Sequence, residues 1–517
     1  VISLYWQVIP IQIRGKIKKI LIEADILKQI DEEQLREALK ELGGMAKKYQ
    51  DMLFDGYWKY LVDIHLLRDY AASLPIEEFE PEIRDWVTKV RKHELNGSEE
   101  LFLERFSVGV DKFLADAPMH LTRYVPQSIL QFSLDPNNWA RSGASDSKRL
   151  KVRCDDGKER FCRSSKWASA CVLTSKEVRQ MILFSEPGVN VAIQKRELGK
   201  VRPIMKGGMA LYLKMSYVSR WLETALRTHQ HSTLFYTSRQ MLGLWEAMVI
   251  DARNRKLIKM PIDQTGFDHQ VNVRMIDRIM RCLRSFIFKR CWSSDRYEIL
   301  HTMDLIIVDI QLGKVVVGKT VLTYLNGVLS GWRWTALIDT LGNKGEESVV
   351  VEQVDESSTI SSVVGLDVYQ GDDIRLLCST YAAALMIWNE YRKLSFDVNP
   401  SKFFISDITD EFLRQITSVN SISGYPARGC ASLVWRNPVT RDVLKGEERV
   451  REQATSWNQL FNRTKFVNYP LMVRDIANAN NIGDSDVEIL MRSPACIGGL
   501  GMFDTNYSNA HWLGIEK

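Results

Sequence analysis

Two short apolar runs that end on carboxylates constrain this chain more than any other feature. LIKMPIDQTGF, residues 257–267, has the alternation of a strand and carries Asp263, with Asp268 just beyond it. VVGLDVYQGDDIRLLCS, residues 363–379, reads as two strands that meet at Gln370-Gly371-Asp372-Asp373. Carboxylates do not belong in such apolar strands without a reason. Successive residues at a bend point in different directions, so one Asp of the pair can face a pocket while the other turns away. Beside a third Asp from a neighbouring strand they form an oxygen cage suited to Mg²⁺, a hard ion that keeps waters or phosphate oxygens in its other positions. Two such ions can activate an attacking oxygen and stabilise the leaving one in an in-line phosphoryl displacement. Taken alone, GDD equally describes a solvated turn, and D-x4-D says less still; order and accompaniment carry the weight.

The accompaniment is specific. Between the two runs lies GVLSGWRWTALIDTLGN, in which Ser330 and Gly331 precede a helix carrying Thr335, Asp339, Thr340 and Asn343. A Ser-Gly loop at a helix start lets backbone N–H groups approach a ribose or phosphate closely. Upstream, Lys195, Arg196, Lys200 and Arg202 supply cations for a triphosphate. Read in isolation, those four residues are also a solvated basic hairpin.

Length and composition set the frame for these motifs. A chain of 517 residues, 45% hydrophobic and 26% charged, should make roughly three packed regions. An aromatic content of 10% with only 14 Pro excludes extensive disorder and fibrous repeats. The formal charge of +5 hides local basic surfaces, since eight basic residues face three acidic ones between Lys148 and Lys166. The eight Cys include no CxxC pair and read as reduced thiols, with no metal site among them. No apolar run is long enough to span a membrane, and the basic cluster after Ile13 lies on the wrong side for a secretory signal. A start at Val1 rather than Met suggests a piece of a longer polypeptide or a processed product.

Periodicity predicts amphipathic helices from Lys16 to Tyr124, a loop over Leu134 to Ser147 and a helix over Leu173 to Phe184. A basic strand-loop-strand follows at 191–207, then helix from Met209 to Asp251 and again from Val271 to Arg290. The β-branched run 305–321 predicts a hairpin around Leu312-Gly313-Lys314. Helices are expected at Trp334 to Lys344 and Tyr381 to Lys393, a strand at Lys402 to Ile408, and helical stretches beyond Asp442.

The order of these motifs resembles that of viral RNA-dependent RNA polymerases. PIDQTGFDHQ looks like motif A, SGWRWTALIDTLGN motif B, YQGDDI motif C, NPSKFFIS motif D and KRELGKVRPI the basic motif F. EFLRQI (411–416), GYPARGCASLV (424–434) and SPACIGGLG (493–501) are similar to words in the polymerases of totivirus-like double-stranded RNA viruses. The resemblance spans about 195–501; the first 190 residues match by position only.

The resemblance implies an α+β right-hand polymerase with an antiparallel palm sheet and largely helical fingers and thumb. It divides the chain into an N-terminal region and fingers (1–254), a palm segment with motif A (255–275), an insertion (276–325), a palm segment with motifs B, C and D (326–420) and a thumb (421–517). It assigns Asp263 and Asp372 as principal metal ligands with Asp373 assisting, for Mg²⁺ or alternatively Mn²⁺. Asp268 would sense the ribose 2′-OH. Ser330, Gly331, Thr335 and Asp339 would line the incoming nucleotide, and Lys195, Arg196, Lys200 and Arg202 its triphosphate. Lys402 would donate a proton to the leaving pyrophosphate, if it is not an ordinary surface lysine. One departure is visible: similar polymerases carry Asn where Asp339 stands, and Asp loses the amide donor and adds a charge. Implied partners are RNA template and product, ribonucleoside triphosphates and a viral capsid protein, also as a fusion, with no membrane. The implied place is the virion interior in the host cytoplasm. A reverse transcriptase and a non-catalytic RNA-binding, capsid-associated module stand as alternatives. Asp268, where a deoxynucleotide enzyme wants bulk, counts against the first, and the retention of all three carboxylates against the second.

Overall fold

The computed structural model describes residues 1–26, 31–50, 57–141, 143–144, 150–162, 164–293, 296–358, 361–399, 403–435, 446–465, 468–494 and 497–499. Among the described residues, twelve strands form four small sheets among long helices. In chain order they are β1 (Leu150–Arg153), β2 (Glu159–Cys162), β3 (Val189–Glu197), β4 (Lys200–Lys206), β5 (Ile258–Asp263), β6 (Lys314–Val317), β7 (Thr320–Thr323), β8 (Val368–Gln370), β9 (Asp373–Cys378), β10 (Thr409–Phe412), β11 (Gln415–Ser418) and β12 (Ser421–Gly424). The central sheet has the antiparallel order β5-β9-β8, with Asp263 opposite Asp373 and Gln370 opposite Asp373. The basic hairpin β3–β4 joins β6 and β7 in a second sheet, through a parallel β3–β6 pairing.

The helix Val273–Arg290 shows how sequence builds the support. Met275, Ile276, Ile279, Met280, Leu283, Phe286 and Ile287 recur at helical spacing and are all buried, while Asn272 caps its start by accepting from the Met275 N–H at 3.0 Å. The helix Thr335–Glu356 is buried nearly all round, so it reads as a core helix and not an amphipathic one. It runs well past the expected end near Lys344.

Two large apolar cores and a small third one result. The first joins residues 83–354 to the central sheet and the helix Tyr381–Lys393. The second unites the two ends of the described chain: Tyr5, Val8, Ile17, Trp58 and Leu61 pack with Tyr425, Trp457, Phe461, Met472 and Met491. Residues near the N-terminus therefore belong with the region expected as the thumb, which the position-only match did not reveal. The third is a small cluster of Leu244, Met248, Val368 and Phe412.

Other expectations are corrected. The run LIIVDIQ is not a strand but the end of the helix Arg296–Gln311, because Ile299, Met303, Ile306 and Ile310 are buried at helical spacing; the hairpin comes later, as β6–β7 turning at Gly318. Met209–Asp251 is two helices, Met209–Ala225 and Ser238–Arg253. No strand occupies 403–408, where Ser406 makes a single bridge to Lys259 and strand begins at Thr409. Among the described residues no helix is long and apolar enough to cross a membrane, and the seven described cysteines are free thiols.

Candidate active site

The central sheet sets the first two carboxylates by register. Opposite residues of an antiparallel pair share a face, so Asp263 at the end of β5 and Asp373 at the start of β9 project to the same side. The link between β8 and β9 is Gly371-Asp372, with Gly371 at φ +61°, the left-handed region a glycine enters without cost. This turn is not free in solvent. The Gly371 N–H donates to Thr340 Oγ1 at 2.9 Å, and Asn343 Nδ2 donates to the Gly371 carbonyl at 2.8 Å. Thr233 Oγ1 also donates to Gln370 Oε1 at 2.7 Å. The long helix thus clamps the turn from behind while Asp372 itself is exposed. Thr340 and Asn343 were visible within the third motif, but their role as a clamp was not.

Negative charge accumulates here. Burial, then the neighbouring Asp372, Asp263 and Glu411, push the Asp373 carboxyl up to about 7. Asp268 is likewise pushed up to about 7 by burial and Asp372, against the pull of Arg202. Asp339 is held well above the usual carboxylate range by burial and by Asp268, Asp372 and Glu346, and it hydrogen-bonds Asp268. That bond lowers Asp268 and raises Asp339, the directions expected where a proton lies between two buried carboxyls. Burial and acidic neighbours thus disfavour the charge that Asp adds at position 339. Its Oδ1 has no hydrogen-bond partner. Glu346 behind it is pushed up to about 8 by burial and accepts from Gln264 Nε2 at 2.8 Å.

Cations stand opposite. A cavity of about 480 Å³ is lined by Asp263 and Asp373 on one wall and by Lys195, Arg196, Lys200 and Arg202 on another. Lys195, Lys200 and Arg202 surround Glu197 at 3.2, 3.8 and 3.2 Å, whereas Arg196 donates to the Ala71 carbonyl at 2.6 Å. Lys47, Asp63, Glu411, Arg414 and Arg428 complete the wall. Arg414 is presented by a two-residue turn in which Leu413 and Arg414 both take positive φ, 50° and 60°, a conformation that normally calls for Asn-Gly. The sequence words EFLRQI and GYPARGCASLV contain Arg414 and Arg428, but nothing in them places either residue at this cavity. For Lys47 and Asp63 no local signal exists.

Residues 77–437 match the viral RNA-directed RNA-polymerase family. The chain belongs to this family. It is 26% identical over 325 residues to a protein of Giardia lamblia virus (isolate Wang) named "Probable RNA-directed RNA polymerase"; the match covers 62% of this chain and 16% of the length of that relative. Its fold is similar to the RNA-dependent RNA polymerase of a human picobirnavirus, at a TM-score of 0.55 and 13% identity over 88% of this chain and 82% of the other. The BmCPV RNA-dependent RNA polymerase at its elongation state aligns with a TM-score of 0.50 and 11% identity, over 72% of this chain and 32% of that one. These likenesses show the fold, an α+β right-hand polymerase.

In this chain the loop that opens SGWRWTALIDTLGN is packed tightly. A Cβ on Gly331 would lie 2.2 Å from the Met205 carbonyl oxygen, so only glycine lets the loop lie against β4. Trp332 Nε1 donates to Asn190 Oδ1 and Trp334 Nε1 to Ser219 Oγ, both at 2.8 Å, anchoring the loop to the basic sheet and the helix behind it. The helix starts at Thr335, several residues beyond Ser330 and Gly331, and the Thr335 hydroxyl donates to the Leu329 and Trp332 carbonyls. Thr335 thus holds the loop's shape. Ser330 Oγ is shielded and has no hydrogen-bond partner. Lys402 lies outside the described residues.

The donor set suits a hard divalent cation. Among the described residues no three acidic, His or Cys side chains converge to enclose a metal unaided. Two carboxylates on adjacent strands and a third on the turn are what Mg²⁺ uses when waters and substrate phosphates supply the rest. The upward push on Asp373 from its acidic neighbours reports charge that such a cation would relieve.

Proposed function

We propose that the polymerase carries out template-directed nucleotidyl transfer for a double-stranded RNA virus, serving both genome replication and transcription. The observation that carries this reading is the pairing of Asp263 with Asp373 across β5 and β9, beside a Gly371-Asp372 turn clamped by Thr340 and Asn343, facing a basic wall. Asp263, Asp372 and Asp373 would hold Mg²⁺, or Mn²⁺ in its place, which when bound supplies activation of the attacking oxygen and charge stabilisation. Lys195, Lys200 and Arg202 attract and orient the triphosphate, and Arg414 and Arg428 extend the positive field along the same cavity. Asp268, hydrogen-bonded to Asp339, accepts from the ribose 2′-OH and so favours ribonucleotides.

In this reading 255–275 and 326–420 form the palm, 276–325 an insertion, and most of 1–254 the fingers, while the outermost N-terminal helices brace the thumb at 421–517. The partners are RNA template and product, ribonucleoside triphosphates and a capsid protein, within a particle in the host cytoplasm. The test is incorporation of labelled ribonucleotides on a single-stranded RNA template with Mg²⁺, beside Asp372→Asn and a parallel reaction with deoxynucleotides. Template-dependent ribonucleotide product that vanishes in the variant is expected. RNA binding with no incorporation by either protein would overturn the reading.

A further inference from the structure

One buried contact reaches Asp268 from a helix that none of the motifs contains. The helix Glu80–Thr88 buries Ile83, Trp86 and Val87. Trp86 is 3% exposed and stacks on His269 with ring centroids 4.3 Å apart and planes 10° from parallel. Its Nε1–H donates to the Asp268 carbonyl at 3.3 Å, which also accepts from the Val328 N–H at 2.7 Å. Beneath the indole lies Gly327, at φ +85°, where a Cβ would stand 2.3 Å from Trp86 Nε1 and 2.9 Å from the Asp268 carbonyl oxygen. Asn326 Nδ2 closes the ring by donating to the carbonyls of Trp86 and His269, each at 2.9 Å. Three distant segments therefore interlock around one backbone carbonyl with no spare volume.

This carbonyl matters because, although the Asp268 carboxyl bonds Asp339, its backbone has little within its own segment to hold it. It stands in a one-turn helix, Phe267–Gln270, that follows a left-handed Gly266. So short a helix closes few internal hydrogen bonds, and its orientation is set by what packs on it. A hydrogen bond to a substrate hydroxyl requires placement within about 0.5 Å.

We propose that Trp86 is a positioning residue for ribose selection: it fixes the Asp268 backbone and the His269 ring, and thereby where the Asp268 carboxyl meets the incoming sugar. The inference rests on the assignment of Asp268 to the 2′-OH. Trp86→Phe keeps an aromatic ring over His269 but removes the N–H donor. The measurement is kcat/KM for single incorporation of a ribonucleoside and the matching 2′-deoxynucleoside triphosphate on one template, with Tm alongside. Trp86→Phe should lower the ribo-over-deoxy preference about 3- to 10-fold. The loss should fall on the ribonucleotide KM, with deoxynucleotide incorporation little changed. Asp268→Asn should lower the preference further, and the double variant should lose no more than Asp268→Asn alone, because both act through one contact. Should Trp86→Phe fail to fold, His269→Leu removes the stacking partner and should move the preference the same way. A preference unchanged by Trp86→Phe, or by His269→Leu in its place, but lowered by Asp268→Asn overturns the positioning role. A preference unchanged by Asp268→Asn overturns the ribose assignment itself, and this inference with it.

Discussion

Two carboxylate clusters sit at opposite ends of β8, and both face the helix Thr335–Glu356. At the turn end, Asp268, Asp339 and Asp373 gather near Asp372, and burial with mutual repulsion pushes all three up. At the other end, Asp367 accepts from Lys344 Nζ at 2.8 Å and Tyr369 OH at 2.6 Å and lies 2.6 Å from His231 Nδ1. Lys344 also pairs with Glu347 at 2.8 Å. Burial opposes ionisation of Asp367, yet the bond to His231 and the charge of Lys344 outweigh it and hold the carboxyl well below its usual range. Residue type and burial are alike at the two ends, but the charge balance is opposite. A cluster neutralised by its own chain is a brace. The cluster left with excess negative charge is where the cation proposed above would be held.

The largest effect should come from the uncompensated cluster. Asp372→Asn or Asp263→Asn should cut nucleotide incorporation about 10³-fold or more while circular dichroism and Tm stay close to wild type. At the compensated end, Lys344→Met strands Asp367 and Glu347 without their cation. It should cost about 3–5 kcal/mol in urea unfolding, with the folded fraction still incorporating nucleotide at a rate within about threefold of wild type. Lost activity at full stability in Lys344→Met would break the comparison.

Mg²⁺ offers a third reading of the contrast. It should raise the Tm of wild type and of Lys344→Met but not of Asp263→Asn, with a stabilisation of about 2.7 kcal/mol when the ion is at 100 times its Kd. A smaller effect concerns pH. The pKa of His231 is raised, chiefly by its bond to Asp367. Its contribution is therefore fully present below the unfolded value of about 6.5 and is lost as pH rises through the higher folded value. The lowered pKa of Asp367 works the other way, stabilising above about pH 4 and fading as pH falls through its folded value. Unfolding midpoints measured across pH should show His231→Gln losing about 1 kcal/mol at pH 6 and less at pH 9. The smallest change is expected from Asp339→Asn. The amide offers the donor that a protonated carboxyl would, without the charge that burial disfavours, so incorporation at pH 7 should stay within about threefold.

Much of the site was legible because its signals are local. Asp263, Asp372 and Asp373 stand out as carboxylates at the ends of apolar strands, and Gly371 announces the turn between two of them. The turn that presents Arg414 is the counter-example: Leu413 and Arg414 are not turn formers, and only packing holds them at positive φ. The run LIIVDIQ misled for a related reason. β-branched residues favour half-buried, pleated strand surfaces, but Ile306 and Ile310 are buried on a helix where tertiary packing overrides that preference. Trp86 gave no sign of its contact with Asp268, since nothing in a local window relates a helix near the N-terminus to the PIDQTGFDHQ segment.

By itself, then, the amino-acid order determined which residues carry charge, where strands turn and in what sequence the motifs come, since periodicity and turn chemistry act over a few residues. Tertiary structure decided that the two ends of the described chain share a core, that the long helix clamps the Gly371 turn, and that burial and acidic neighbours push the Asp339 carboxyl up. Those outcomes depend on which distant segments meet and on how far they exclude water. Burial and the nearest charges, which no local window contains, set whether a carboxyl is an anion, a donor or half of a neutral brace.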